Sequence, residues 1–466
     1  MKKQFNNKIL IIGYGAVSKC TFPILLDKID VPLNNITIID FEDKSKALKK
    51  YTDQGLVFVN EKITPNNLNT ILSKYLDSNG LLIDLAWNIG CNDIIKWCHD
   101  NNVLYINTSV EVWEPEIIED TFEKTLYSRQ MQLRELSKDW KDAPTAIVDH
   151  GANPGLISHF VKQGLIDIAN RTNREDLKQY IENKDFPKLA QELGIKVIHC
   201  SERDTQITNQ PKQVNEFVGT WSIEGLAEEG TAPVEIGWGT HEKKLHPLTC
   251  LPSFGPKNQI FLAQMGMNTW ARSWIPNEEI VGMMIRHGEA FGLSDYLTIG
   301  NEYRPTVHYV YMPCHETISS LHELRGRNYN LQPNLRIMDD EITNGADILG
   351  ALLMGHEYTS WWIGSILTIE EARKLAPGQN ATTLQVAAGV IAAILWMLEN
   401  PRQGICLPED LPHDFILNIA KPYLGNFVSE ASNWTPLKNR KISFKENPLS
   451  NYNEDPWQFE NFLFLP

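Results

Sequence analysis

A short apolar strand, Lys8-Ile-Leu-Ile-Ile12, runs directly into Gly13-Tyr-Gly15 and then into a helical segment, Ala16 to Lys28. This junction constrains the fold more than any other stretch of the chain. Gly13 permits a tight strand-to-helix turn. Gly15 carries no side chain to keep a pyrophosphate from the N–H groups at the helix start, where Ala16 and Val17 stand and the helix dipole is positive. A second apolar strand, Asn35-Ile-Thr-Ile-Ile-Asp40, ends on a carboxylate in register to accept the ribose hydroxyls of NAD. The same carboxylate would repel the 2′-phosphate of NADP. The third position of the glycine fingerprint is Ser18, small enough for the close helix–strand packing required there. NAD is therefore the expected cofactor, and a plain α/β turn is the alternative.

Alternation continues beyond Asp40. Leu56–Val59, Leu81–Ala86, Val103–Ile106 and Thr145–Val148 read as buried strands, with helical patterns at Asn66–Leu76, Cys91–Asn101 and Asp120–Trp140 between them. Buried strands separated by helices predict a Rossmann-type, doubly wound parallel sheet. Ligands in such sheets lie beyond the carboxyl ends of the strands. The tips to watch are Gly13–Val17, Asp40, Ala86–Asn88, Thr108–Trp113 and Asp149–Asn153. Asn153-Pro154 has the form of an N-cap followed by a first-position proline opening a helix over Leu156–Ile168, and Asn153 suits a ligand-facing role equally well.

From about Lys196 to Ile337 the chain is rich in β-formers, Gly and Pro, which predicts an inserted α+β domain with a mixed sheet. A helical segment is expected from Ala346 toward Pro401, then an irregular aromatic tail. The expected division is 1–152 for the cofactor domain, 153–375 for a substrate and dimerisation domain, and 376–466 for helices and a tail returning to the first domain.

Composition removes several classes. The chain has 466 residues, enough for two or three domains, and a net charge of −15, which argues against nucleic acid as a partner. Its seven cysteines are scattered and never form CxxC, which fits reduced thiols in the cytoplasm rather than a disulfide framework or a zinc cluster. The apolar run near the start, Ile9–Ile12, is too short for a signal peptide. Val386–Leu398 falls short of the ~20 residues that span a bilayer and reads as a buried helix. No HExxH-like ligand spacing occurs, so no catalytic metal is expected.

Between 202 and 242 lie eight acids (Glu202, Asp204, Glu216, Glu224, Glu228, Glu229, Glu235, Glu242) and two bases, Arg203 and Lys212. Trp221 and Trp238 stand in the same stretch beside small residues. Carboxylates pair with ammonium groups and an indole face holds a cation, so the segment suits a pocket for an organic amine. It also suits a solvated acidic face with two core tryptophans. In Arg286-His-Gly-Glu289, a strand would put His287 and Glu289 on one face, where the imidazole could move protons near neutral pH.

The blocks Gly13-Tyr-Gly15, Val110-Glu-Val-Trp113, Gly151-Ala-Asn-Pro-Gly155, Glu202-Arg-Asp-Thr-Gln206, Thr220-Trp-Ser-Ile-Glu-Gly225, Gly237-Trp-Gly-Thr-His-Glu242, Gln379-Asn-Ala-Thr382, Pro422-Tyr-Leu-Gly425 and Asp455-Pro-Trp-Gln-Phe459 together resemble the bacterial homospermidine synthases, related in fold to the saccharopine dehydrogenases. The resemblance implies an enzyme that joins two putrescines, releases ammonia through imine intermediates, and regenerates NAD in each turnover. It implies a cation–π tryptophan at Trp221, acidic pocket residues at Glu111, Glu202, Glu229, Glu289 and Asp347, an asparagine at Asn153, a histidine at His287, and a homodimer. Ala86 and Thr108 join the cofactor-contacting set. The family's acid at one strand tip is replaced here by Asn88, which can bond an ammonium but not neutralise it. Two other readings share these features: reductive amination of the saccharopine or carboxynorspermidine type, and a non-catalytic NAD or polyamine sensor.

Overall fold

The computed structural model describes residues 2–440 and 453–464. Its first sheet is parallel throughout, in the spatial order Val57–Asn60, Ile36–Asp40, Ile9–Ile12, Leu81–Asp84, Leu104–Asn107, Ala146–Ile147, Ile405–Cys406. The chain leaves Ile9–Ile12 toward one edge and returns to its other side at Leu81–Asp84. That reversal opens a crevice at the carboxyl ends of the two strands. Ile9–Ile12, Leu81–Asp84 and Leu104–Asn107 are buried at every residue, as a sheet covered on both faces requires.

The helix Ala16–Lys28 lies where the sequence puts it, and Leu68–Tyr75 and Cys91–Asp100 fall within their predicted spans. The helix expected from Asp120 begins only at Leu126, because Thr125 caps it by accepting from the Ser128 N–H at 3.1 Å. The seventh strand, Ile405–Cys406, escapes sequence reading because two residues carry no periodicity.

A mixed sheet forms the second layer system. Its path runs Thr249–Cys250, Gln259–Met265, Pro233–Gly237, Thr306–Met312, Val197–Asp204, Ala346–Met354, Ser360–Thr368, Asn426–Ser432, with the hairpin Trp270–Ile275/Glu278–Met283 attached at Thr306–Met312. Thr306–Met312 runs parallel to Val197–Asp204, and Ala346–Met354 runs antiparallel to it. The expected helix from Ala346 is therefore corrected: two strands occupy 346–368, and helices begin at Ile369–Leu375 and Ala381–Glu399. A continuous apolar run cannot by itself distinguish a buried strand from a buried helix. Here the turn with Gly355 at φ 107° and Thr359 at φ 70° folds the run back on itself.

Ala381–Glu399 is long and apolar enough to cross a membrane, but 83% of its apolar window is buried within the protein. It packs on Ala16–Lys28 and on the helix His413–Ala420. A Cβ at Gly389 would lie 1.9 Å from the Gly151 carbonyl oxygen, so the long helix rests directly on the chain as it leaves the first domain. Ile405–Cys406 joins the first sheet, and among the described residues the chain from Asn426 onward lies on the second. Asn426–Ser432 extends the mixed sheet, and Trp457, Phe459 and Phe462 share a core with Val234, Ile260 and Trp362. Apolar burial draws these aromatics to the nearest uncovered sheet face.

Candidate active site

Gly13 has φ 86°, and a Cβ there would press within 2.9 Å of the Leu85 carbonyl and 3.1 Å of Ala86, so this position needs glycine for backbone reasons alone. Gly15 differs: a Cβ there would meet nothing within 4 Å. The helix it opens has no side-chain cap and no acid in its first turn, which leaves its N–H groups free for an anion. Ala16 and Val17 flank this opening, half-buried. The Asp40 carboxylate accepts from the Tyr14 N–H at 2.6 Å and the Glu42 N–H at 2.8 Å. It braces the glycine turn and keeps lone pairs for ribose hydroxyls. Ser18 is buried against the sheet. Thr108 lies against Gly151, where an added Cβ would come within 3.4 Å of its methyl. These residues fit a dinucleotide.

The mixed sheet presents its acids on one face. Alternation puts Cys200, Glu202 and Asp204 on the same side of their strand. Register then sets Tyr309 beside Cys200, Tyr311 beside Glu202, and Asp347 beside Asp204. All three acids are buried. Glu202 accepts from the Asn153 amide at 2.6 Å and from the Tyr309 hydroxyl. Asp204 accepts from Thr220 at 2.8 Å and from the Gln206 N–H at 2.9 Å. Asp347 accepts from the Thr382 hydroxyl and leaves its other oxygen unbonded. Burial pushes Glu202 up to about 7, and burial with the charges of Glu202 and Asp204 raises Asp347 well above the carboxylate range.

An aromatic ladder joins this face to Trp221. The indole N–H lies 3.3 Å from the Tyr311 hydroxyl; Tyr311 stacks on Tyr309 at 5.6 Å; and Tyr309 lies 4.5 Å from the His287 ring. His287 Nδ1 sits 2.7 Å from the Glu289 carboxylate. Burial acts to lower the imidazole, but Glu289, Glu229 and Glu202 outweigh it and hold its pKa above the ordinary value. Glu229 is pushed up to about 7 by burial, and one of its oxygens is buried without a partner. Its neighbour Glu228 is spoken for: Arg129 at 2.7 Å and Arg286 at 2.5 Å overcome its burial and hold it at about 2. Glu111 accepts from Ser109 at 2.8 Å and, by burial and the Glu228 charge, is raised.

The two halves meet at the strand tips. Ala86 abuts the glycine turn, Asp84 at the end of its strand feels the charge of Glu111, and Glu111 faces the Arg129–Glu228 pair. Glu229 in turn feels the charges of Glu111 and His287, so the acids around His287 adjoin the residues at these strand tips. Asn88 follows Ala86 at φ 57°, its amide oxygen buried and unbonded.

Two local expectations are corrected. Asn153 does not cap a helix: the helix Leu156–Thr172 starts after Gly155 at φ 133°, and the Asn153 side chain is engaged by Glu202 and by Tyr309 at 2.8 Å. Arg286–Glu289 is not a strand: His287 precedes the helix Gly288–Tyr296, and Glu289 reaches back to it from the first turn.

The acidic segment also divides. Trp238 packs on Phe459 at 5.7 Å, Glu235 caps the Leu126 and Tyr127 N–H groups, Glu242 holds the Phe459 N–H, and Glu216 pairs with Arg336. These serve the fold. Tyr309, Tyr311, Thr382 and Asp84 are parts of the candidate site that sequence reading did not single out. Thr382 carried a signal, since it closes the Gln379-Asn-Ala-Thr382 block, and Asp149 stands at a strand tip already marked in the sequence. Asn380 of that block is buried, with its amide donating to the carbonyls of Thr220 and Met338 at 2.8 Å each. Among the described residues no group of three or more His, Cys, Asp or Glu side chains is arranged to hold a metal ion.

Residues 9–148 match the saccharopine dehydrogenase NADP binding domain, and 151–432 match the saccharopine dehydrogenase C-terminal domain. The homospermidine synthase of Mesorhizobium japonicum is 35% identical over 474 residues, covering 99% of this chain and 97% of that one. That of Blastochloris viridis is 35% identical over 478 residues, covering 99% and 98%. The crystal structure of the homospermidine synthase from Legionella pneumophila in complex with NAD superposes with a TM-score of 0.90 at 37% identity, over 100% of this chain and 99% of that one. The apo saccharopine dehydrogenase (L-Glu forming) from Saccharomyces cerevisiae, at 11% identity and a TM-score of 0.53, shares the fold. With a Rossmann domain, a mixed-sheet domain and relatives matched over nearly its full length, this chain belongs to the homospermidine synthase family.

Proposed function

We propose that this protein condenses two putrescines into homospermidine with release of ammonia, using NAD that is regenerated within each turnover. One observation carries the reading: the ladder Trp221–Tyr311–Tyr309–His287, with the buried Glu202 bonded to Tyr309 and Glu229 facing His287. A flexible aliphatic dication needs anionic partners for its ends and a non-reacting face for the charge that develops between them.

A bound NAD supplies hydride removal from an amine-bearing carbon and hydride return to the imine that joins the two chains. The protein's own residues do the rest. Glu202, Glu229 and Asp347 hold ammonium ends, with Glu111, Asn88 and Asn153 bonding beside them. Because burial keeps Glu202 and Glu229 near neutrality, arrival of a dication draws both into the ionised form. Trp221 offers its face to the cationic carbon–nitrogen bond. His287, whose hold on a proton Glu289 strengthens, takes a proton from the second amine once it has added to the imine carbon and gives one from Nε2 to the nitrogen that leaves as ammonia. The Tyr309 and Asn153 bonds to Glu202 fix that carboxylate so it needs no reorganisation as charge builds.

The reductive-amination alternative needs a free cation for a substrate carboxylate. Arg203 alternates to the opposite sheet face from Glu202 and donates to the carbonyls of Asp204 at 2.6 Å and Pro313 at 3.2 Å. Arg129 and Arg286 share Glu228, and the charges of Glu111 on Arg129 and of Glu235 and Glu229 on Arg286 balance the rest. A non-catalytic sensor would not need a buried, charged His287–Glu289 pair. The same reading takes the enzyme to be a cytoplasmic homodimer acting on small aliphatic diamines, with neither nucleic acid nor membrane as a partner.

Incubation with putrescine and a small molar fraction of NAD tests the proposal. Mass spectrometry should find homospermidine in excess of the NAD supplied, without NADH accumulating. Stoichiometric NADH formation or no product would refute it.

A further inference from the structure

Behind His287 lies a second carboxyl layer. Glu289 and Gly292 are three residues apart and share one face of the helix Gly288–Tyr296. A Cβ at Gly292 would sit 2.7 Å from both carboxyl oxygens of Glu409, so that carboxyl lies flat in the notch this glycine leaves. Glu409 accepts from Ser158 at 2.6 Å through one oxygen, and its other oxygen is buried without a partner. The free oxygen of Glu289 is buried and unbonded as well. Asp149, which accepts from Gln130 at 2.7 Å, lies 3.3 Å from the position of a Cβ on Gly288. Gln130, Asp149, Gly288, Glu289, Gly292 and Glu409 line one small cavity, with space on the scale of a single water molecule.

We infer that Glu409 is a positioning residue for proton transfer, setting the charge on His287 through Glu289 across this cavity. The inference rests on the role given to His287 above. Asp149 and Glu409 line one small space in which like charges oppose ionisation of both, so the two share a proton near neutral pH. Burial pushes Asp149 and Glu409 up to about 7, in keeping with that sharing. When Glu409 ionises, its charge adds to the field that holds the imidazole protonated. When it takes the proton, His287 gives up its own more readily.

Other charges set the baseline. Glu409 is also faced by Lys162, whose ammonium donates to the Glu409 and Leu411 carbonyls, by Tyr296, and by Asp410 on its own segment. His287 is faced by Glu289, Glu229, Glu202, Asp149 and Tyr309, with Arg286 beside it in the chain.

The test is the titration of His287 by 13C–1H NMR of the full-length protein, with its signal identified by its loss in His287→Asn. Glu409→Gln keeps the volume and the Ser158 bond while removing the ionisable group. It should lower the His287 midpoint by about half a unit or more. Gly292→Ala, which leaves Glu409 ionisable but presses its carboxyl out of the notch, should move the midpoint the same way. An unchanged midpoint in both variants would overturn the inference, and so would a shift matched by an Asp410→Asn control. Because this readout needs no turnover, its failure is separable from failure to make homospermidine.

Discussion

The Asn153 amide donates to the Glu202 carboxylate at 2.6 Å, across 49 residues of sequence. This bond ties the segment leaving the cofactor domain to the central strand of the substrate sheet. It fixes Glu202, an acid of the proposed amine pocket, relative to the chain that leaves the first sheet. The charge of the pocket and the position of the cofactor crevice are therefore set by one joint, reinforced where Gly389 lets the long helix rest on Gly151.

Trp221→Leu should remove the cation-holding face while leaving the glycine turn untouched. Cation–π contacts contribute about 0.5–2 kcal/mol, so kcat/KM for putrescine should fall about two- to thirtyfold. NAD affinity, read by titration calorimetry, should stay within error of the unsubstituted protein. Unaltered turnover would remove Trp221 from the chemistry.

The two glycines of the turn should separate fold from function. Gly13→Ala meets both a positive φ and a 2.9 Å clash with the Leu85 carbonyl, and should cost about 1–3 kcal/mol of stability. Gly15→Ala meets nothing and should leave the Tm unchanged, yet weaken NAD binding by roughly tenfold because its methyl stands where the pyrophosphate must approach. Equal NAD affinity in Gly15→Ala would move the cofactor elsewhere.

Raised carboxyls give a defined pH response. Glu202 and Glu229 go from the usual 4.5 to about 7 on folding, through burial. Their contribution to stability is whole below about 4.5 and is lost as pH rises through about 7, because the folded state must then carry buried negative charge. In the proposed site putrescine would pair with the ionised forms, so the Tm increase it produces should be larger at about pH 8 than at about pH 6. Glu229→Gln should shrink that difference and raise the KM for putrescine. A putrescine shift independent of pH would place the binding carboxylates elsewhere.

Gly389→Ala probes the joint itself. The added methyl would fall 1.9 Å from the Gly151 oxygen, so overpacking should cost about 1–3 kcal/mol and show as a lowered Tm. Its KM for putrescine should rise too, since Asn153 and its bond to Glu202 lie two residues further on. A stable variant with unchanged KM would show that the helix does not hold the joint.

Much of the first domain was legible in the sequence, since Ile9–Ile12, Ile36–Asp40, Leu81–Asp84 and Leu104–Asn107 are short apolar runs and Leu68–Tyr75 and Cys91–Asp100 are amphipathic helices. The acids and the tryptophan of the proposed pocket also stand out in the sequence. Local reading failed where two geometries satisfy the same pattern. Ala346–Met354 has the apolar continuity of a core helix or a core strand, and Asn153-Pro154 has the form of a cap or of a ligand-facing loop. Nor did it find Tyr309 and Tyr311, which look like ordinary core residues until register sets them beside Cys200 and Glu202.

By itself, the sequence determined a parallel sheet with a glycine turn, an acid in register for ribose, and a surplus of carboxylates around Trp221. Those properties live in residue type and short-range spacing, where backbone sterics and charge act without help from the rest of the chain. Only the tertiary structure decided which of the eight acids between 202 and 242 serve the pocket and which merely hold backbone N–H groups or arginines. Burial and partner geometry decide whether a carboxylate is neutralised, bonded or left free, and both are properties of contacts between segments far apart in sequence.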